Sequence, residues 1–153
     1  MIKFAAAALV ATAAGFGPAL AAGDAKKGEK VFRKCKACHM VGEKAKNRVG
    51  PILTGVVGRK AGAAEGYKYS KTNALAGEEG LVWTEENIAA YLPGPQKFLE
   101  KFLKEKGKKA PGRTKMVYKL KKEKEVADVV AYLATFSPKA EGEDAASGEA
   151  ATQ

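Results

Sequence analysis

The pentapeptide Cys35-Lys36-Ala37-Cys38-His39 constrains this chain more than any other feature of it. At this spacing the two thiols lie on one side of a helical turn and can add to the two vinyl groups of a haem. The imidazole that follows then lies under the iron as an axial ligand. The motif therefore favours covalent attachment of haem c through Cys35 and Cys38, with His39 bound to the metal.

Two other kinds of site use a Cys-x-x-Cys pair. A zinc site would need further ligands of the usual kind, and the chain has only two Cys and one His. A thiol–disulfide redox pair would open a helix after a strand in a βαβ unit, and no such pattern surrounds the motif. Both alternatives are weaker than haem attachment.

The first 21 residues have the pattern of an export signal. Met1-Ile2-Lys3 is a short positive segment, residues 4–16 are apolar, and Ala19-Leu20-Ala21 fits a cleavage site. The alternative is an uncleaved anchor, but the apolar stretch is short and rich in Ala and Gly. A membrane span needs about 20 strongly apolar residues. We expect residues 1–21 to be a cleaved signal peptide and the protein to be periplasmic, where bacterial c-type haem is attached.

Composition divides the rest of the chain into one domain and a tail. Residues 22–138 have the length of a single domain, whereas residues 139–153 are rich in Ala, Glu and Gly and are predicted to be a disordered acidic tail. The chain carries a net charge of +10. Without the acidic tail and the leader, the body carries about +12, a large positive field for a small domain. Nucleic acid is one partner class for such a charge, but a periplasmic haem protein favours acidic protein surfaces.

Capping residues and apolar spacing predict an all-α domain with long loops. Asp24 and Thr84 are candidate N-caps of two helices, and Pro95 begins a third that ends at Gly107. The clearest helix is predicted over 123–136. The segment 41–81 contains many glycines and is predicted to be a loop that wraps a large ligand. The apolar positions of the last two helices are Phe98, Leu99, Phe102, Leu103, Val126, Val129, Val130 and Leu133.

Met116 is the candidate for the second axial ligand of the iron. Met1 leaves with the leader, and Met40 adjoins His39 and cannot reach the opposite face of a haem. Met116 lies in a segment too rich in Pro and Gly for a helix. A lone methionine is ordinarily core filler, so that interpretation stands beside ligation.

These motifs, taken together in order and spacing, resemble the class I c-type cytochromes, and most closely the bacterial cytochrome c2 group. The resemblance covers about residues 24–136 and implies the class I cytochrome c fold. The segment 98–109 is extra relative to the mitochondrial members. The matching motifs are Gly28-x-x-x-Phe32, Cys35-x-x-Cys38-His39, Gly50-Pro51, Gly58-Arg59-Lys60, Gly66-Tyr67-Lys68-Tyr69-Ser70, Trp83-Thr84-Glu85-Glu86-Asn87, Tyr91-Leu92, Thr114-Lys115-Met116 and Val130-Ala131-Tyr132-Leu133.

The resemblance also implies roles for individual residues. Pro51 matches the residue whose carbonyl accepts a hydrogen bond from the axial histidine, although it could be a simple turn proline. The positions that hydrogen-bond the haem propionates are matched by Arg59, Tyr69 and Trp83. The polar network near the methionine ligand is matched by Asn73 and Tyr91. Gly28, Phe32 and Tyr132 match the crossing of the first and last helices.

The function implied is that of a soluble periplasmic electron carrier and not an enzyme. Iron held by His39 and Met116 would have no open position for substrate. The expected partners are acidic redox proteins such as a cytochrome bc complex and a terminal oxidase or photosynthetic reaction centre. Two alternatives are a five-coordinate haem enzyme or gas sensor, and a redox subunit fixed in a larger complex. The lysines expected to guide partners, or else to be ordinary surface charge, are Lys34, Lys36, Lys115, Lys119 and Lys121.

Overall fold

The computed structural model describes residues 22–138, and in that part of the chain the regular structure is entirely helical. The all-α class predicted from the sequence is therefore confirmed. The predicted signal peptide at 1–21 and the predicted tail at 139–153 lie outside the described residues. The helices are α1 (Ala25–Phe32), α2 (Lys71–Glu78), α3 (Glu85–Tyr91), α4 (Pro95–Glu105) and α5 (Glu123–Ala134).

Side-chain caps fix the starts of α1 and α3 as the sequence predicts. The Asp24 carboxylate accepts a hydrogen bond from the Lys27 amide at 3.1 Å, and the Thr84 hydroxyl accepts one from the Asn87 amide at 3.1 Å. These bonds satisfy backbone donors that the first turn of a helix leaves without partners. Helix α5 ends at Ala134, two residues earlier than predicted.

The prediction that 41–81 is a continuous loop is wrong, because α2 lies within it. Ser70 caps this helix by accepting from the Asn73 amide at 3.2 Å. Its buried positions are small or polar, and Gly77 packs so closely that a Cβ there would lie 2.0 Å from the Ala61 carbonyl oxygen. Because Leu75 is the one large apolar residue of α2, and is only partly buried, the helix has no apolar stripe for a periodicity argument to detect.

Helices α1 and α5 cross in direct backbone contact, as expected from Gly28. A Cβ at Gly28 would lie 1.9 Å from the Asp128 carbonyl oxygen, which leaves no space for any side chain. The Phe32 and Tyr132 rings pack beside the crossing with their centroids 5.5 Å apart. The Asp128 carboxylate accepts from the Asp24 amide at 2.8 Å and so ties the start of α1 to α5. This crossing forms one side of the core.

Helix α4 fills the opposite part of the core. Leu99 and Leu103 are fully buried, and Phe98 stacks against Trp83 with ring centroids 6.2 Å apart. The segment 98–109, which the resemblance predicts to be extra, therefore packs beside a predicted site residue. Within residues 22–138 no helix is both long enough and apolar enough to cross a membrane.

Candidate haem-binding site

The helices and loops enclose an apolar cavity of about 230 Å³. Its walls come from α1, α2, α3 and α5, from the loops on either side of α2, and from the loop between α4 and α5. All ten residues predicted from the sequence to form the site line this one cavity, although they come from segments far apart in the chain. These residues are Cys35, Cys38, His39, Pro51, Arg59, Tyr69, Asn73, Trp83, Tyr91 and Met116.

The two cysteines lie on one turn at the mouth of the cavity. The amides of Cys38 and His39 both donate to the Cys35 carbonyl, at 3.0 and 2.9 Å, so the motif forms a closed helical turn. Both thiols are half-buried and neither forms a disulfide. Burial raises the pKa of the Cys35 thiol to about 11, although Lys34 opposes the shift. Thiol–disulfide exchange requires a thiolate, so this environment does not favour the redox-pair interpretation.

His39 is held in one orientation by its neighbours on both sides. Its Nδ1 lies 2.7 Å from the Pro51 carbonyl oxygen, and because a carbonyl can only accept, Nδ1 carries the proton. Burial lowers the pKa of His39, with the Pro51 bond opposing, so the ring is neutral at pH 7. The ring lies against Gly50, where a Cβ would come within 2.3 Å of the ring Cε1. A neutral, oriented imidazole with an unprotonated Nε2 is the form that binds a metal.

Arg59 and Trp83 are brought together by a short antiparallel backbone pairing. The Trp83 amide donates to the Arg59 carbonyl at 2.8 Å, and the Gly58 amide donates to the Trp83 carbonyl at 2.9 Å. The Arg59 guanidinium is half-buried and donates to the backbone carbonyls of Ile52 and Thr54, at 2.7 and 3.1 Å. These two bonds orient a fixed positive charge at the cavity wall.

Tyr69 lies on the same wall in a loop before α2. Its hydroxyl accepts from the Ala64 amide at 3.3 Å, and its ring meets that of Tyr67 edge-on with centroids 4.8 Å apart. The hydroxyl can still donate one hydrogen bond. Burial raises the pKa of Tyr69, so the phenol stays protonated at neutral pH.

Asn73 and Tyr91 belong to a buried polar cluster whose third member, Thr114, was not predicted. The Thr114 hydroxyl donates to the Asn73 carboxamide oxygen at 2.8 Å, and the Tyr91 side chain lies close to both residues. Burial raises the pKa of Tyr91. Ser70 also donates to the Asn73 oxygen, at 2.8 Å, so this cluster is anchored to the cap of α2.

Met116 is half-buried and follows this cluster in the chain. Its amide lies 3.4 Å from the Thr114 hydroxyl oxygen, to which it donates. The preceding residue, Lys115, donates from its ammonium group to the Lys68 carbonyl and lies 5.4 Å above the centre of the Tyr67 ring. The backbone that leads into Met116 is therefore anchored by Thr114 and Lys115.

The residues present fit a covalently bound haem. The cavity offers two thiols on one turn, a neutral imidazole and a thioether within otherwise apolar walls. A cation and a phenol lie on one wall, where they can meet anionic propionates that would be costly to bury alone. The absence of a side chain at Gly50 lets the His39 ring keep the orientation set by its bond to Pro51.

The five predicted docking lysines differ in their contacts. Lys34 forms an ion pair with Glu125 at 2.7 Å. Lys115 donates a hydrogen bond to the Lys68 carbonyl and lies over the Tyr67 ring. Within residues 22–138 the ammonium groups of the other three form no ion pair. These are Lys36, Lys119 and Lys121.

Sequence reasoning missed three residues around the site. Gly50 and Thr114 were part of the matched motifs but were given no role. Gln96 was missed because it is a polar residue in the first turn of α4, where a solvent-exposed side chain is the ordinary expectation. A Thr two residues before a candidate ligand was the available signal for Thr114, whereas nothing in the sequence singled out Gln96.

Comparison with known proteins agrees with this geometry. The profile of the family described as Cytochrome c matches residues 25–137. Cytochrome c2 iso-1 of Rhodospirillum centenum is 62% identical over 117 residues, which cover 75% of this chain and 98% of that protein. A cytochrome c2 of Rhodopseudomonas palustris is 57% identical over 115 residues, covering 74% and 98%. The solved structure of cytochrome c2 from Rhodospirillum centenum superposes with a TM-score of 0.75 at 61% identity, covering 76% of this chain and all of that one.

Proposed function

Because this chain belongs to the cytochrome c family, we propose that it is a soluble periplasmic carrier that shuttles single electrons between membrane redox complexes. Its similarity to cytochromes c2 makes it a monohaem electron carrier with one covalently bound haem c. The proposal adds the axial ligands, the compartment and the kind of partner.

One observation carries the proposal of ligands: Cys35, Cys38, His39 and Met116 all line the same apolar cavity. The bound haem would supply a one-electron Fe(II)/Fe(III) couple. Cys35 and Cys38 would hold it covalently, and His39 would donate its Nε2 lone pair. Met116 would supply a soft thioether, a ligand that favours Fe(II) and raises the reduction potential.

Substrate or gas chemistry at the iron of a haem needs an open coordination position. If His39 and Met116 both held the iron they would leave no such position, which argues for a carrier and against an enzyme. The loop that contains Met116 is held by Thr114 and by the contacts of Lys115. Such anchoring supports a ligand that stays in place in both oxidation states.

The polar residues of the cavity have a second task, which is to stabilise charge. Arg59, Tyr69 and Trp83 would hydrogen-bond the haem propionates, and the orientation of the Arg59 guanidinium by two carbonyls supports this assignment. Asn73 and Tyr91 would form the polar network near Met116, which the hydrogen bond from Thr114 to Asn73 supports. The Pro51 carbonyl would strengthen donation by His39.

The proposed partners are acidic redox proteins such as a cytochrome bc complex and a terminal oxidase or photosynthetic reaction centre. The body of about +12 would attract them over distances comparable with the Debye length. The lysines without ion pairs that flank the ligand segments are the candidates for steering, chiefly Lys36, Lys119 and Lys121. Lys34 and Lys115 are less suited, because each already has a partner.

Replacement of Met116 by Ala tests the ligation. The ferric variant should lose the weak red absorption band of thioether-ligated haem, bind added imidazole readily and have a lower reduction potential. Met40→Ala is the matched control, because Met40 is also half-buried but adjoins His39. An unaltered spectrum and potential in Met116→Ala would refute the assignment.

The compartment is tested by mass spectrometry of the protein recovered from periplasm. We expect a chain that begins at Ala22 or Gly23 and is heavier by one haem that survives acid extraction. A full-length product that remains with the membrane fraction would contradict the proposal of a soluble carrier.

A further inference from the structure

The segment 111–116 is tied to α4 by one side chain, that of Gln96. The Gln96 carboxamide oxygen accepts from the Thr114 amide at 2.7 Å, and its nitrogen donates to the Gly112 carbonyl at 3.2 Å. The same nitrogen donates to Glu100 at 2.8 Å, one turn further along α4. Gln96 therefore spans two backbone positions of the loop and is itself braced by its own helix.

The bonds of Gln96 continue to Met116 through Thr114. Thr114 is buried, its amide is bound by Gln96, and its hydroxyl accepts from the Met116 amide at 3.4 Å while donating to Asn73. The Gly112 carbonyl has a second donor, the hydroxyl of Thr72 on α2, at 2.6 Å. The loop is thus held between two helices, α2 and α4.

A carboxamide suits this position because one side of the contact is an amide and the other is a carbonyl. Only a side chain with both a donor and an acceptor can satisfy both. A carboxylate would keep the bond to the Thr114 amide but would set negative charge against the Gly112 carbonyl and the Glu100 carboxylate. An alanine would lose both bonds.

From this arrangement we infer that Gln96 is a positioning residue for Met116, acting through the backbone of Gly112 and Thr114. This inference rests on the proposed ligation by Met116. Helix α4 would then have two roles: it contributes to the core, and through Gln96 it holds the loop that contains Met116.

Imidazole binding to the ferric protein measures how readily Met116 leaves the iron. Loss of the two loop bonds in Gln96→Ala should strengthen imidazole binding on the order of tenfold, which corresponds to about 1.4 kcal/mol. Gln96→Glu should also strengthen imidazole binding. Lys97→Ala, an exposed change on the same turn of α4, should leave imidazole binding unchanged.

Leu103→Val is the control for a merely structural role, because Leu103 is fully buried in α4. It should lower global stability without changing imidazole binding. If Gln96→Ala and Leu103→Val strengthen imidazole binding equally at equal loss of stability, the positioning role is overturned.

Hydrogen exchange at the Thr114 amide separates this inference from the ligation on which it rests. Exchange should accelerate in Gln96→Ala and not in Lys97→Ala, and an unchanged rate would refute the contact. If the wild-type ferric protein lacked the thioether band, ligation by Met116 would be wrong, and the positioning role with it. The exchange rate of the Thr114 amide would still test its hydrogen bond to Gln96.

Discussion

Gly50 should control the strength of axial ligation although it contributes no side chain. A Cβ at this position would lie 2.3 Å from the Cε1 of His39, and also 2.7 Å from its Nδ1 and 2.8 Å from its Nε2. Ordinary van der Waals contact begins at 3.4 Å, so Gly50→Ala must displace the ring by about 1.1 Å. Metal–ligand distances tolerate only about 0.2 Å.

The cost follows from what the displaced ring loses. Its bond from Nδ1 to the Pro51 carbonyl, at 2.7 Å, would be stretched or broken. Loss of such a partner of a metal-bound histidine weakens metal binding by about 10- to 100-fold, or about 1.4–2.7 kcal/mol. Because His39 can turn aside, we expect the cost to appear in ligation more than in the packing of the chain.

The assay is unfolding of the haem-bound protein in guanidinium, followed by haem absorption. The free energy of unfolding of Gly50→Ala should fall by about 1.4–2.7 kcal/mol, and its ferric spectrum should gain a high-spin component. Gly94→Ala is the matched control, because a Cβ there would meet only the Lys97 Cβ, at 3.8 Å. If the two variants agree within about 0.5 kcal/mol and share one spectrum, the argument from ring displacement is wrong.

Two further predictions concern the helix crossing and the surface charge. Gly28→Ala should lower the free energy of unfolding by about 1–3 kcal/mol through overlap with Asp128, even after the gain in helix propensity. Gly94→Ala, which meets only Lys97 at 3.8 Å, should change it by less than about 0.5 kcal/mol in the same denaturant titration. Lys36→Glu should slow electron transfer to a purified bc-type complex or oxidase in stopped flow, most strongly at low salt, while leaving the potential nearly unchanged. Lys101→Glu, which has the same change of charge but lies on α4 and not within the haem motif, should slow transfer much less. Rates that do not depend on salt would remove the argument for steering.

The parts of the molecule predicted from sequence are those with a local signature. The haem motif, the caps at Asp24 and Thr84 and the apolar stripe of α5 each lie within a few residues of chain, and the structure contains each feature. The crossing at Gly28 was predicted through the resemblance. The resemblance also predicted that the site residues share one cavity. Composition alone could not predict this, because it does not show which distant loops come together.

The parts that were missed depend on tertiary contacts. Helix α2 buries Thr72, Asn73, Ala76 and Gly77, a set without apolar periodicity. Gln96 became visible only when its two partners on a distant loop were known. The contacts of Lys115 with neighbouring loops were likewise not predicted from the sequence, and its role in guiding partners stays a prediction.

The helix crossing also has a topological consequence. The hydrogen bond from the Asp24 amide to Asp128 joins positions 104 residues apart, and every predicted site residue lies inside the loop that it closes. The entropy cost of closing a loop grows only slowly with its length, so one crossing can enclose the whole site. Phe32 on α1 and Leu133 on α5 line the cavity as well. A fragment that lacked either terminal helix would lack part of the cavity wall, so we expect such a fragment to bind haem less well than the whole domain.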